Sequence, residues 1–114
     1  FEETNWKQIH HWYSCILALD PNPFIKLNLA VVTIQLQRTE ETAALLGSID
    51  PDKLEKRAYL FYGTQAEYLL LKNKYTEAIE SLEIAIKLVE NSAEKVYLQE
   101  RLRKISNGPG FESV

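Results

Sequence analysis

The stretch NKYTEAIESLEIAIKL, residues 73–88, decides the fold class. Its residues Ala78, Leu82 and Ala85 follow one another at steps of four and three positions. This spacing places them on one face of an α-helix, which we predict to run from about Thr76 to Glu90. Because two alanines lie two turns apart on that face, we also expect the preceding helix to pack close to its backbone.

Helical periodicity continues on both sides of this stretch and predicts five further helices. The second helix is expected to begin at Asn22-Pro23 and the fourth at Asp50-Pro51. In both pairs a residue type that caps helices well is followed by proline, which suits the first helical position. The expected bounds are about 5–19, 23–37, 39–47, 51–72 and 92–106.

Three shorter signals set the remaining helix ends. Thr39 is expected to cap the third helix and Gly47 to end it. Asn91, with Glu94 three residues later, predicts a reciprocal capping pattern at the start of the sixth helix. The tail 107–114 has no periodicity, so we expect it to be flexible.

The helices form an internal repeat. A shift of 35 residues superposes Ala43 on Ala78 and Phe24 on Tyr59, close to the roughly 34-residue tetratricopeptide period. Residues 73–88 resemble the second helix of that repeat. The preceding helix has large, small and large residues where the motif expects them, at Tyr62, Ala66 and Leu69.

The resemblance implies an all-α fold of about six helices, in which antiparallel helix pairs stack as a short tetratricopeptide-like superhelix. We expect one domain, residues 1–106, comprising a half repeat 5–19, repeat one 23–50, repeat two 51–90 and a capping helix 92–106. The sequence departs from the motif at Glu90, where proline is usual, and at Gly47, where a large residue is usual. An irregular helical bundle is the alternative interpretation.

Charge and composition exclude several function classes. The net charge of −3 offers no overall attraction to nucleic acid or anionic lipid, so we expect no direct nucleic-acid partner. No stretch of about eighteen apolar residues predicts a membrane span. The single Cys15 cannot form an internal disulfide, which favours a cytoplasmic location. Since the chain starts at Phe1 and contains no methionine, we expect it to be cut from a longer polypeptide.

A second resemblance is carried by WKQIHHWYSCILALDPNPFIKLNLAVV, residues 6–32. This segment resembles the C-terminal extension of a group of extracytoplasmic-function (ECF) sigma factors, in which a Pro-x-Pro segment leads into a Leu-Asn-x-Ala-Val helix. Three later pieces resemble the same extension in the same order: AEYLL at 66–70, EA at 77–78 and NSAEKVYLQERL at 91–102. The match covers about residues 5–105.

This resemblance implies a role in bacterial transcription control. The domain would regulate sigma-factor regions, either in cis as their C-terminal extension or in trans as a negative effector, with those regions or RNA polymerase as its partner. A general tetratricopeptide scaffold that binds extended peptides, unrelated to transcription, is the alternative. A helix-turn-helix upstream of Phe1 would favour the first hypothesis.

No residue pattern indicates an enzyme, a metal site or a cofactor site. His10 and His11 are adjacent on a helix, so their rings point about 100° apart and cannot chelate one metal together. Cys15 has no neighbouring Lys or Arg to lower its pKa, and we interpret it as an inert thiol. Pairs of acidic residues such as Glu40-Glu41 are expected on solvent-facing helix surfaces.

A polar groove is expected on the concave side of the repeats. The second helix has two opposed polar strips, one with Lys26 and Thr33 and the other with Asn28 and Gln35. In the repeat register, the protein-binding residues of this groove are Asn28, Gln35, Glu67, Tyr97 and Arg101. A plain hydrogen bond from the Asn28 side chain to a neighbouring backbone group is the alternative.

The first helix is predicted to carry a docking flank. Its stripe Trp6, Ile9, Tyr13 and Ile16 is expected to pack on the second helix. Trp12 and Leu19 lie on a flank that nothing in this chain covers. We therefore hypothesise that the two residues bind the sigma regions, or a second copy of the domain in a homodimer. Trp12 folding back over a loop is the alternative.

Overall fold

The computed structural model describes residues 4–107, and within that range the chain is helical and contains no strand. The all-α prediction is therefore confirmed. The helices are α1 (Trp6–Leu19), α2 (Pro23–Gln35), α3 (Thr39–Gly47), α4 (Ala58–Leu71), α5 (Tyr75–Leu88) and α6 (Ser92–Ser106), with a 3-10 helix at Pro51–Arg57. Most of the predicted tail, residues 108–114, lies outside the described residues.

The chain divides into two compact units, and the boundary along the sequence lies between Leu54 and Glu55. In the first unit α1 contacts α2 and α2 contacts α3, and in the second α4 contacts α5 and α5 contacts α6. Within each unit, helices that follow one another along the chain thus pack side by side, as short helix connections favour. The predicted start of repeat two at residue 51 lies four residues before this boundary.

The core of the first unit is built around α2. A mixed apolar and hydroxyl surface of this helix is buried, and Ala30 and Thr33 have no exposed surface. Thr33 meets Thr42 of α3 with 2.6 Å between the two hydroxyl oxygens. The remaining buried apolar residues of the unit are Leu27, Leu29, Val32, Leu46, Ile49 and Leu54.

The core of the second unit follows the alanine spacing from which the helix was predicted. Ala78 and Ala85 of α5 and Ala66 of α4 are each 0% exposed, and Leu82 of α5 is 1% exposed. Because alanine projects only a methyl group, α4 packs directly on the α5 backbone at these positions. Val89, Leu98 and Ile105 complete this buried cluster.

Two equivalent turns lie 36 residues apart, so the predicted superposition by a 35-residue shift does not hold in this region. α2 ends at a left-handed Gln37 (φ 58°) and α4 at a left-handed Asn73 (φ 61°). Each turn closes with two backbone bonds back into the helix end, a Schellman pattern. Thr42, not Ala43, is then the equivalent of Ala78; Thr42 is buried and Ala43 is exposed.

The fourth helix begins later than predicted. Residues 51–57 form the 3-10 helix, and Glu55 interrupts it with φ 55° and ψ −121°. Asp50 does not cap a continuous helix; its carboxylate accepts a hydrogen bond from the Asp52 amide at 3.1 Å. The backbone break at Glu55 therefore delays regular α-helix until Ala58.

Of the four predicted N-caps, Asn22 and Asn91 are confirmed, whereas Thr39, like Asp50, is wrong. The Asn22 side chain accepts from the Phe24 amide at 2.7 Å, and the Asn91 side chain accepts from the Glu94 amide at 2.9 Å. Thr39 is instead the first helical residue of α3, and the N-cap position is held by Arg38 without a side-chain bond. A guanidinium has no acceptor atom, so it cannot receive the free amides at a helix start.

Candidate functional site

The first helix separates into a partly buried side and an exposed side. Trp6, Ile9, Tyr13 and Leu17 are partly buried, and no residue of α1 is fully buried. Ile16, predicted to belong to the packed stripe, is 44% exposed. At about 100° per residue, Ile16 lies at the edge of the stripe, whereas Leu17 lies one turn beyond Tyr13 and takes its place.

The exposed side of α1 carries large apolar residues. Trp12 is 56% exposed, Ile16 44% and Leu19 89%. Trp12 does not fold back over a loop. We define the outer face of α1 as the exposed residues His11, Trp12, Cys15, Ile16 and Leu19. Three large apolar side chains are thus exposed along one side of a single helix.

A polar cluster fastens the opposite side of α1 to α3. The His10 ring nitrogen Nε2 lies 2.6 Å from a carboxylate oxygen of Glu41, and Arg38 lies 3.6 Å from the other oxygen. The Ser14 hydroxyl is 3.5 Å from His10 Nδ1. Glu41, expected on a solvent-facing helix surface, keeps 36% of its side chain exposed but also pairs with His10. His10 and Glu41 are 31 residues apart, so no local pattern could have paired them.

His11 and Cys15 form a second pair on the outer face of α1. The sulfur of Cys15 lies 3.7 Å from His11 Nε2, and both residues are exposed. They are four residues apart, so their side chains project next to each other from successive turns. Among residues 4–107 no three side chains of His, Cys, Asp or Glu gather into a group that could hold a metal ion.

Two of the predicted groove residues belong to the first unit. Asn28 and Gln35 are exposed on α2, while the opposite polar strip turns inward. Thr33 of that strip is fully buried, and the Lys26 ammonium donates to the Ser48 carbonyl at 3.4 Å. The amide groups of Asn28 and Gln35 therefore form the polar strip of α2 that faces solvent.

The other three predicted groove residues belong to the second unit. Glu67 of α4 and Arg101 of α6 form a bidentate ion pair with two N–O distances of 2.8 Å. The hydrogen bonds that Arg101 donates to the Glu67 carboxylate raise the pKa of Arg101, against the opposing effect of partial burial. Tyr97, one turn before Arg101, is 66% exposed. Glu67 and Arg101 satisfy one another and link α4 with α6, while Tyr97 stays accessible.

One further hydrogen bond, between α4 and α6, was not predicted from the sequence. The Tyr59 hydroxyl donates to the Glu94 carboxylate at 2.5 Å. Glu94 was expected to bond back to the Asn91 amide in a reciprocal cap. Its carboxylate instead receives a phenol from α4, 35 residues away. This hydrogen bond raises the pKa of Tyr59, since ionisation would remove the donated proton.

No helix within residues 4–107 combines the length and the apolar character needed to cross a bilayer. No protein-family model matches the chain, and no solved structure matches it. An uncharacterized protein of Rhizobium meliloti (strain 1021) is 28% identical to the chain over 109 residues. The match covers 95% of this chain and 25% of that protein, so the chain spans about a quarter of the relative's length.

Proposed function

We propose that this chain is a protein-interaction module whose partner binds the outer face of α1. The supporting observation is the exposure of Trp12, Ile16 and Leu19 along one side of a single helix. Burying exposed apolar area contributes roughly 25 cal/mol per Å², and aromatic residues at the centre of such surfaces dominate binding. This proposal accounts for apolar side chains that the fold itself leaves in water.

The partner that we propose is the sigma regions of an ECF-type sigma factor, with the chain acting as regulator in the bacterial cytoplasm. This choice rests on the resemblance of residues 6–32 and the three later pieces to the extension of those factors. The net charge of −3 agrees with a role in transcription that does not include DNA contact, because few phosphates could be neutralised. RNA polymerase is the other transcription partner that the resemblance implies.

A peptide-binding scaffold is the second candidate. The exposed amides of Asn28 and Gln35 favour it, since they lie seven residues apart on α2 and thus project from the same side two turns apart. Each amide carries two donors and an acceptor, which suits contact with the backbone of an extended peptide. In this candidate the binding residues lie on α2, so the two functions respond to different substitutions.

The test is a calorimetric titration of the chain with the purified sigma regions of an ECF factor from the same genome. Trp12→Ala should weaken binding by about 2 kcal/mol or more, which is about thirtyfold in Kd. Ile16→Ala should weaken it as well. Ile84→Ala is the matched control, because Ile84 lies on α5 and is 41% exposed, close to the 44% of Ile16.

Circular dichroism establishes that each variant keeps its helices. If Ile84→Ala weakens binding as much as Ile16→Ala, or if Trp12→Ala has no effect, the outer face of α1 is not the docking surface. If binding depends on Asn28 and Gln35 instead, the peptide-scaffold candidate is favoured.

A further inference from the structure

The outer face of α1 holds two metal-ligating side chains at its centre. On a helical wheel the exposed residues of α1 span about half a circle, and Cys15 lies near the middle of that sector. His11 lies one turn before Cys15 on the same side, and the apolar Leu19 one turn after it. The ligating atoms are therefore surrounded by a surface that a partner could cover.

The distance between the two ligating atoms fits a zinc ion. Zn–S bonds are about 2.3 Å and Zn–N bonds about 2.0–2.1 Å, so neighbouring ligands of a tetrahedral zinc lie about 3.6 Å apart. Cys15 Sγ and His11 Nε2 are 3.7 Å apart. The separation of these two atoms is thus that of two neighbouring zinc ligands. The thiol gives up its proton to solvent when it binds the metal.

One copy of the chain supplies half of a closed zinc site. Among residues 4–107 no third His, Cys, Asp or Glu side chain joins the pair in a group of three. His10 faces the other way and pairs with Glu41. Structural zinc sites have four protein ligands, of which two Cys and two His is a common set. A two-fold axis through the ion would supply the missing Cys and His from a second copy.

The surroundings of the pair suit a second copy of this chain. The exposed residues of α1 include no carboxylate, and Lys7 at the edge of the sector is the one residue there with a permanent charge. A symmetric contact places each face against itself, so a face that is apolar and nearly uncharged meets little like-charge repulsion. Two thiolates from two copies also neutralise the charge of one zinc ion.

We propose that two copies of the chain bind one zinc ion between their α1 helices, through His11 and Cys15 of each copy. Trp12, Ile16 and Leu19 lie beside the ion and become covered in the dimer. The inference goes beyond the proposed function and does not depend on the identity of its partner. Its consequence for that function is competition, since the zinc-bridged dimer covers the surface proposed for sigma regions.

The experiment uses the chain alone, kept reduced, and titrates it with zinc in native mass spectrometry and sedimentation equilibrium. We expect one zinc ion per two chains, a dimer in the presence of zinc and a monomer after chelation. Cobalt in place of zinc should give the visible absorption of a tetrahedral cobalt–thiolate centre. The zinc stoichiometry, the dimerisation and the cobalt absorption are all measured without a sigma factor, so this inference and the proposed function fail separately.

Four variants complete the test. His11→Ala and Cys15→Ser should each weaken zinc binding by more than about tenfold, because loss of even supporting groups costs roughly 10–100-fold in metal affinity. His10→Gln, the adjacent histidine, should leave the zinc stoichiometry unchanged. Trp12→Ala should keep both ligands but weaken the dimer. Circular dichroism on each variant separates loss of ligands from loss of fold.

Several results would overturn the proposal. One zinc ion per chain without dimerisation would mean that water completes the site. A dimer that forms equally well with the Cys15→Ser variant would also contradict the proposal. The same holds for a dimer that is separated by a reductant but not by a chelator, and for the absence of zinc binding at micromolar concentrations.

Discussion

The buried hydroxyl pair between α2 and α3 allows a quantitative test of the first unit. Three contacts meet there: Thr33 to the Ala30 carbonyl at 2.8 Å, Thr42 to the Arg38 carbonyl at 2.9 Å, and hydroxyl to hydroxyl at 2.6 Å. Two hydroxyl hydrogens can serve only two of these contacts at once. Each hydroxyl therefore keeps a carbonyl acceptor when the other is removed.

This geometry predicts moderate losses of stability that add in the double variant. Thr33→Ala or Thr42→Ala should each lower the free energy of unfolding by about 1–2 kcal/mol. That figure combines about 1 kcal/mol for the lost hydrogen bond and roughly 0.8 for the buried methyl, less a few tenths gained from the helix propensity of alanine. Each single variant keeps one of the two hydrogen bonds and the double variant keeps neither, so the loss in the double variant should equal the sum of the two single losses within roughly 0.3–0.5 kcal/mol.

The assay is urea unfolding followed by far-ultraviolet circular dichroism on the four proteins of the cycle. An unchanged m-value establishes that the compared states expose the same surface on unfolding. Thr42→Ser is the control: it keeps the hydroxyl and should cost about 1 kcal/mol for the methyl alone. A loss in the double variant about 1 kcal/mol smaller than the sum would contradict this geometry, because it would mean that a hydroxyl does not bond to its carbonyl once the other hydroxyl is removed.

Three further predictions concern the second unit and its start. The raised pKa of Tyr59 means that the bond to Glu94 stabilises the fold below the usual tyrosine pKa of 10.0 and is lost as the pH rises through the folded-state value. An ultraviolet titration should therefore show one late tyrosine, which Tyr59→Phe removes; no change in the titration curve would contradict the bond. Asn91→Ala should lower the free energy of unfolding in urea by about 1 kcal/mol, because the Glu94 amide loses its cap. Asn107→Ala removes no side-chain cap and serves as the control; equal losses of stability in the two variants would refute the assignment of Asn91 as the cap. Glu55→Gly should raise thermal stability by about 1 kcal/mol, since φ 55° with ψ −121° strains any residue with a Cβ; a lower melting temperature would mean that the Glu55 side chain contributes more than its backbone conformation costs.

Much of the fold could be predicted because helices are encoded locally. The spacing of Ala78, Leu82 and Ala85 was sufficient to place α5 and its buried face. Asn22 and Asn91 were correctly predicted to cap, because an N-cap depends on residues only two or three positions apart. The errors at Thr39 and at the start of α4 came from the same local reasoning. Arg38 occupies the N-cap position in front of Thr39, and Glu55 interrupts the chain before α4 with φ 55°, which a residue with a Cβ does not favour.

The candidate site was predictable in part. Trp12 and Leu19 could be identified as uncovered because the helical period assigns each α1 residue to a side. The sequence did not reveal whether Ile16 would be buried or exposed, because that depends on how α1 lies on α2. The sequence also could not show whether Glu67 and Arg101 line a groove separately or bond to each other across 34 residues.

The sequence by itself determined the elements: six helices, most of their approximate bounds, the buried face of α5, and the absence of a strong charge. These depend on periods of three to four residues and on caps, which act within a single turn. The tertiary structure alone decided the pairs: His10 with Glu41, Thr33 with Thr42, Tyr59 with Glu94, and Glu67 with Arg101. The physical reason is that a hydrogen bond requires atoms within about 3 Å, and only helix packing brings residues so far apart in sequence to that distance.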